Sequence, residues 1–259
     1  MQLEIDVMLD YEFAEPADVL LQVAVAQMPD QRLIGDNLVV SSPEKLRPVT
    51  GEDAIGQRTW AMGRGTFHAT YSAIVEIERP PVVLDGLAAA HARDLPGEVV
   101  PYLMPSRFIE ADRFEAFVAS RFGDVEGGPK IAAMLDWMAG EMAYVPGSSH
   151  GETSAAATFV QREGVCRDYA HLLAGFARAA GIPARLVGAY APRVTPPDFH
   201  AVVEVWLSDA WHLVDPTGMA DAPEIVRIVT GRDATDIAFM TIFGTAEMKA
   251  QSVSVRRTG

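Results

Sequence analysis

The sequence predicts an α+β protein in two parts: an all-β, sandwich-like N-terminal domain over residues 1–105, and a domain over 106–259 in which a helix packs on an antiparallel sheet. Three observations carry this. Up to residue 80 the apolar residues recur with a period of two, the signature of half-buried strands. Residues 79–106 are interrupted by Pro80, Pro81, Pro96, Pro101 and Pro105, each of which fixes φ and removes a donor, so this stretch reads as a connector. From residue 111 the spacing turns helical, and after 184 it returns to two.

Taken in order, the first strand carries Leu3, Ile5, Val7 and Leu9 on one face, with Glu4 and Asp6 opposite. Four more strands follow, in LLQVAVAQM, DNLVVSS, QRTWAM and TFHATYSAIVEIE, with turns at Pro29-Asp30 and Arg64-Gly65. The last of these places Phe67, Ala69, Tyr71, Ala73, Val75 and Ile77 on one face. Short strands at this spacing suggest an antiparallel sandwich. Helices are expected at 111–122, at 129–142 with Pro129 in the first helical position, at 154–161 and at 166–180, the last stopped by Gly181. RLVGAY, AVVEVWL, AWHLVD and EIVRIVTG then read as strands.

Composition narrows the function. With 49% hydrophobic and 22% charged residues the chain has the makeup of a folded protein. A net charge of -14 repels phosphate backbones and anionic lipid, so neither nucleic acid nor membrane is expected as a partner. The start, MQLEIDVMLDYEF, lacks the basic and apolar regions of a signal peptide. No apolar run approaches the ~18 residues of a membrane span. The single cysteine excludes an internal disulfide. The expected compartment is therefore the cytoplasm.

That cysteine, Cys166, falls at the first turn of a helix, where free N–H groups and the helix dipole favour a thiolate and a developing oxyanion. It is either a small buried hydrophobe or a nucleophile. A nucleophilic thiol needs a base and the base an orienting group. His200 opens a strand directly after the loop PRVTPPDF, and Asp215 closes the next strand, before Pro216. If Ser208-Asp209 is a two-residue hairpin loop, Val202 faces Asp215, and His200 lies diagonal to Asp215 on the same face. His171 shares the helix of Cys166 but lies on another face, and His212 alternates out of phase with Asp215. No pair of residues has metal-ligand spacing and no glycine-rich phosphate loop is present, so neither metal nor cofactor is expected.

The segments GVCRDYAHLLAGFARAAGIPARLVGAY, FHAVVEVWL and WHLVDPTG closely resemble the bacterial branch of the transglutaminase-like superfamily. TSAAATFVQREG, GRDATDIAF and YLMPSRF resemble it more loosely. The resemblance implies a papain-like core, Cys166 as nucleophile, His200 as base and Asp215 as its orienting carboxylate. It implies acyl transfer from a peptide, protein or small amide through a thioester, to water as a cysteine protease or amidase, or to an amine as a transglutaminase. Where animal members have tryptophan after the cysteine, this chain has Arg167. A second oxyanion donor is sought in Trp137 or Tyr144. The competing expectation is a non-catalytic scaffold that keeps the fold.

Overall fold

The computed structural model describes residues 1–258 and contains two main antiparallel sheets with helices packed on the second. The first is built on two long strands, β1 (Gln2–Leu21) and β4 (Gln57–Ile77), paired along most of their length. Strands β2 (Gln31–Val40) and β3 (Arg47–Thr50) add to the far side of β4. The period of two holds throughout: Leu3, Ile5, Val7, Leu9, Tyr11 and Phe13 of β1 are buried, as are all six alternate residues from Phe67 to Ile77 of β4.

Two expected strands, 57–62 and 66–78, are therefore one. The Gly63-Arg64-Gly65 segment, which reads as a turn, is an irregularity inside β4, where the pairing with β1 shifts register between Phe13 and Ala17. Gly65 takes φ +56° there, and a Cβ on Gly63 would sit 2.4 Å from the Phe13 ring. The glycines let the strand bend without ending. The expected strand at 20–28 also differs, since only Leu20 and Leu21 belong to β1. Val23, Ala24, Val25 and Ala26 are all buried, and the Ala26 N–H donates to the Arg227 carbonyl while Gln22 N–H donates to that of Phe239. The run is apolar on both sides because protein covers both sides.

After the proline-rich stretch come α1 (Glu115–Phe122), α2 (Gly127–Glu141), β5 (Ala143–Tyr144), α3 (Ala155–Gln161), β6 (Glu163–Gly164) and α4 (Cys166–Ala179). Pro129 falls in the third position of α2 rather than the first. Ser154 caps α3, its side chain accepting from the Ala157 N–H, and Gly181 follows α4 at φ +74°. The second sheet, in the order β10-β7-β8-β9, comprises β7 (Ala184–Tyr190), β8 (His200–Leu207), β9 (Ala210–Val214) and β10 (Val226–Gly231). Helix α4 lies across β7 and β8, with Leu172, Leu173 and Phe176 wholly buried, each contributing ~1.5–3 kcal/mol by leaving water.

The chain does not end in the second sheet. After the short α5 (Ala234–Ile237), β11 (Met240–Phe243) and β12 (Glu247–Arg257) pair with β1. This corrects the division at 105/106, because residues 240–257 complete the N-terminal sheet. The all-β N-terminal part takes the form of one continuous six-stranded sheet, with β1 and β4 each paired on both sides. The two sheets share one apolar core. They also share an ion network, in which fully buried Glu204 accepts from Arg185 Nε and Arg227 Nη1, both at 2.8 Å, and Arg227 and Arg79 both pair with Asp30. Among the described residues no helix is long and apolar enough to cross a membrane.

Candidate active site

Cys166 is the first residue of α4, and its side chain is partly exposed. The helix start is held by Asp168, buried, whose Oδ2 accepts the Val165 N–H at 2.8 Å and whose Oδ1 accepts from Ser149 Oγ at 2.9 Å. This is the back-bonding half of a capping box. Gly164 makes room for it: a Cβ there would lie 2.7 Å from the Asp168 Cβ. Arg167, where animal relatives of the resembled family carry tryptophan, reaches back to Ser149 Oγ and the His150 carbonyl, pinning the loop before α3.

The hairpin β8–β9 supplies the other two candidates. Ser208 and Asp209 both take positive φ, 47° and 58°, giving the expected two-residue loop. Leu207 then pairs with Ala210 and Val203 with Val214, so Asp215 follows opposite Val202. His200 and Asp215 meet, with His200 Nε2 to Asp215 Oδ2 at 2.8 Å and both side chains within 1% of full burial. Asp215 also accepts the Ala220 N–H on Oδ2 and the Thr217 N–H and hydroxyl on Oδ1. Burial raises the carboxyl pKa, but His200 and Thr217 outweigh it and hold Asp215 below its usual value. An ionised Asp215 accepts, so His200 Nε2 donates to it and Nδ1 is left to face another group.

His200 Nδ1 is buried and has no hydrogen-bond partner. Cys166 stands beside it without a closed hydrogen bond, and the two line one cavity. Burial lowers the His200 pKa, but Asp215 and Cys166 together reverse this and carry it from 6.5 to about 10. The structure thus brings Cys166, His200 and Asp215 into one cluster.

Of the two oxyanion candidates, Trp137 is part of the core, packed on Phe117, Phe159 and Phe176 with Arg162 over its face at 4.4 Å. Tyr144 is at the site. Its strand β5 runs parallel to β6, Tyr144 opposite Gly164, and its phenol lies close enough to Cys166 to feel its charge. Burial and the neighbouring Cys166 push the phenol up to about 12, so it keeps its proton.

His171 has a structural task that the sequence hides. It is fully buried, stacked on Phe108 at 5.4 Å, and its Nε2 accepts the Ala234 N–H at 3.1 Å. Burial, with Arg167 and Arg178 nearby, pushes it down to about 3, so it stays neutral and tethers α5 to α4. His212 bonds the Leu207 carbonyl and His68 pairs with Asp10, both away from Cys166. Among the described residues no three His, Cys, Asp or Glu side chains converge as a metal site.

Residues 118–216 match the model of the transglutaminase-like superfamily. The crystal structure of a "putative cysteine protease" from Cytophaga hutchinsonii is similar to this chain, with 30% identity and a TM-score of 0.94 over 99% of this chain and 90% of that one. "Uncharacterized protein ML0607" of Mycobacterium leprae (strain TN) is 28% identical over 146 residues, 52% of this chain and 52% of that protein, so the match spans about half of that relative's length. With the fold, the sequence match and the near-complete structural likeness in agreement, the chain belongs to the transglutaminase-like superfamily.

Proposed function

We propose that the protein is an enzyme of cysteine-based acyl transfer, with Cys166 as nucleophile, His200 as general base and acid, and Asp215 as the group that orients His200. One observation carries the reading: a buried histidine whose Nε2 is committed to Asp215 at 2.8 Å and whose Nδ1 is left without a partner beside the only thiol of the chain. The likeness to a protein described as a cysteine protease supports it.

The steps follow from the groups present. His200, its pKa carried up by Asp215 and Cys166, already holds the Cys166 proton on Nδ1, and the Sγ thiolate attacks the carbonyl carbon of a peptide, protein or small amide. The C–S bond forms and the carbonyl π pair moves to oxygen. We assign the Cys166 N–H and the Tyr144 hydroxyl as the donors that receive that charge. As the oxyanion collapses the C–N bond breaks, and the leaving amine takes the proton from His200. The thioester is then attacked by water or an amine, His200 accepting its proton as the C–S bond breaks and the sulfur leaves as the thiolate. Asp215 stays ionised and stabilises the imidazolium. A reducing compartment, the cytoplasm, suits a reaction that depends on one free thiol.

Iodoacetamide alkylation of Cys166 tests the assignment. At neutral pH the wild type is expected to label at least tenfold faster than His200→Ala. Equal rates in the two proteins would overturn it.

A further inference from the structure

Next to Cys166 and His200 opens a cavity of about 250 Å³. Its lining is mainly apolar: Phe199 and Phe239 stack face to face at 4.2 Å, with Ile237, Ala238 and Met240 beside them. Three polar side chains also reach it, and some of their atoms are already committed. Gln22 donates from Nε2 to the carbonyls of Asp236 and Ala238, at 3.1 and 2.7 Å, and accepts from Arg58 Nε at 2.8 Å. Asp198 accepts its neighbour's N–H, at Phe199, and the Gln251 amide on Oδ1. Arg167 spends Nη2 on Ser149 and His150 and leaves Nε buried without a partner.

The wall facing Cys166 has an unexpected source. Gln22 directly follows β1 and Met240 opens β11, so both come from the N-terminal sheet. Gln22 grips the turn at 236–238 from one side, and His171 holds Ala234 from the other. The cavity is therefore shaped jointly by the two sheets. Its volume exceeds the ~150 Å³ of an apolar protein cavity that admits benzene, so a phenyl or isobutyl group fits.

We propose that this cavity is the specificity pocket for the acyl side of the substrate, and that the substrate class is peptide amides bearing a leucine- to phenylalanine-sized apolar side chain beside the scissile carbonyl. This rests on Cys166 being the nucleophile. A charged or carboxamide side chain entering the same space would shed water against Phe199, Phe239 and Ile237.

The test uses the full chain and the chloromethyl ketones of N-acetyl-phenylalanine, N-acetyl-leucine, N-acetyl-glutamine and N-acetyl-glutamate. In each case sulfur displaces chloride, and labelling of Cys166 is followed by mass spectrometry. Every rate is divided by the iodoacetamide rate of the same protein, which cancels changes in thiol reactivity. The phenylalanine and leucine reagents are expected to exceed the other two by at least tenfold. Ala238→Leu, which fills the cavity, is expected to reduce that preference at least fivefold. Fast iodoacetamide labelling with four equal normalised rates, or a preference for the polar reagents, overturns the substrate class and leaves the nucleophile assignment standing. Iodoacetamide labelling no faster than that of N-acetylcysteine, and unchanged in His200→Ala, overturns both.

Discussion

Asp215 accepts one hydrogen bond from His200, Nε2 to Oδ2 at 2.8 Å, and three others from its own loop, at Thr217 and Ala220. The carboxylate is thus anchored independently of the histidine it orients. Asp215→Asn should therefore keep the fold while losing the ion that favours the Nε2 proton and stabilises the imidazolium. Amide-hydrolysing or acyl-transfer activity should fall by a factor of about 10²–10⁴, with the circular dichroism spectrum unchanged. Wild-type activity in a folded Asp215→Asn protein would remove Asp215 from the reaction.

The same pair fixes a pH window for stability. His200 is carried from 6.5 to about 10, so its contribution is complete below pH 6.5 and is lost as pH rises through 10. Asp215 is held below 3.8, so its contribution is present above that value and is lost as pH falls through its lowered pKa. The gap in unfolding free energy between wild type and Asp215→Asn should be widest on the plateau between these limits and close at both ends. Imidazole titration by NMR gives a second readout: Asp215→Asn and Cys166→Ala should each lower the His200 pKa. A His200 that titrates near 6.5 in the wild type would contradict the pairing.

His171 behaves in the opposite sense. Neutral in the fold, with a pKa pushed down to about 3, it takes up a proton in the unfolded chain first. Its effect is to destabilise the protein as pH falls below 6.5, by up to about 1.4 kcal/mol per pH unit. His171→Phe should cost ~1–3 kcal/mol at pH 8, because the Ala234 N–H loses its acceptor. That deficit should shrink on going to pH 5. Urea unfolding of both proteins at the two pH values measures it, and a deficit that stays constant would show that His171 is not buried neutral.

Glu204 sits between two cations whose side chains are 5% and 7% exposed, Arg185 and Arg227. Glu204→Gln leaves Arg227 only Asp30 and Arg185 only Asp53 as charged partners, and should cost about 2–4 kcal/mol. A loss below 1 kcal/mol in chemical denaturation would mean that water reaches the network.

How much of this was legible in the sequence depended on distance along the chain. The β8–β9 hairpin was legible because its loop is two residues long and its strands alternate, so Asp215 could be set opposite Val202 from spacing alone. Helix α4 was legible from its apolar spacing and the glycine that ends it. The long strands were misread because Gly63 and Gly65 permit a turn and a mid-strand bend equally well, and only the Phe13 ring above Gly63 decides between them. Strand β12 left almost no trace, since Val253 alone of its residues is buried. The cavity wall was invisible for a related reason. Gln22 and Ala238 are hydrogen-bonded across 216 positions, and neither carries a local signature of that meeting.

The return of β12 to β1 has a consequence for how the protein is made. During synthesis β1 emerges first, and β4 can cover one of its sides early. The other side, from Leu3 to Glu12, waits for residues 247–257 to leave the ribosome. At ~5–20 residues per second that leaves an unpaired apolar edge open for at least ten seconds or so, the kind of edge that invites pairing with another chain. The nascent protein cannot complete the sheet that β1 begins until residues 247–257 have emerged, long after β1 itself.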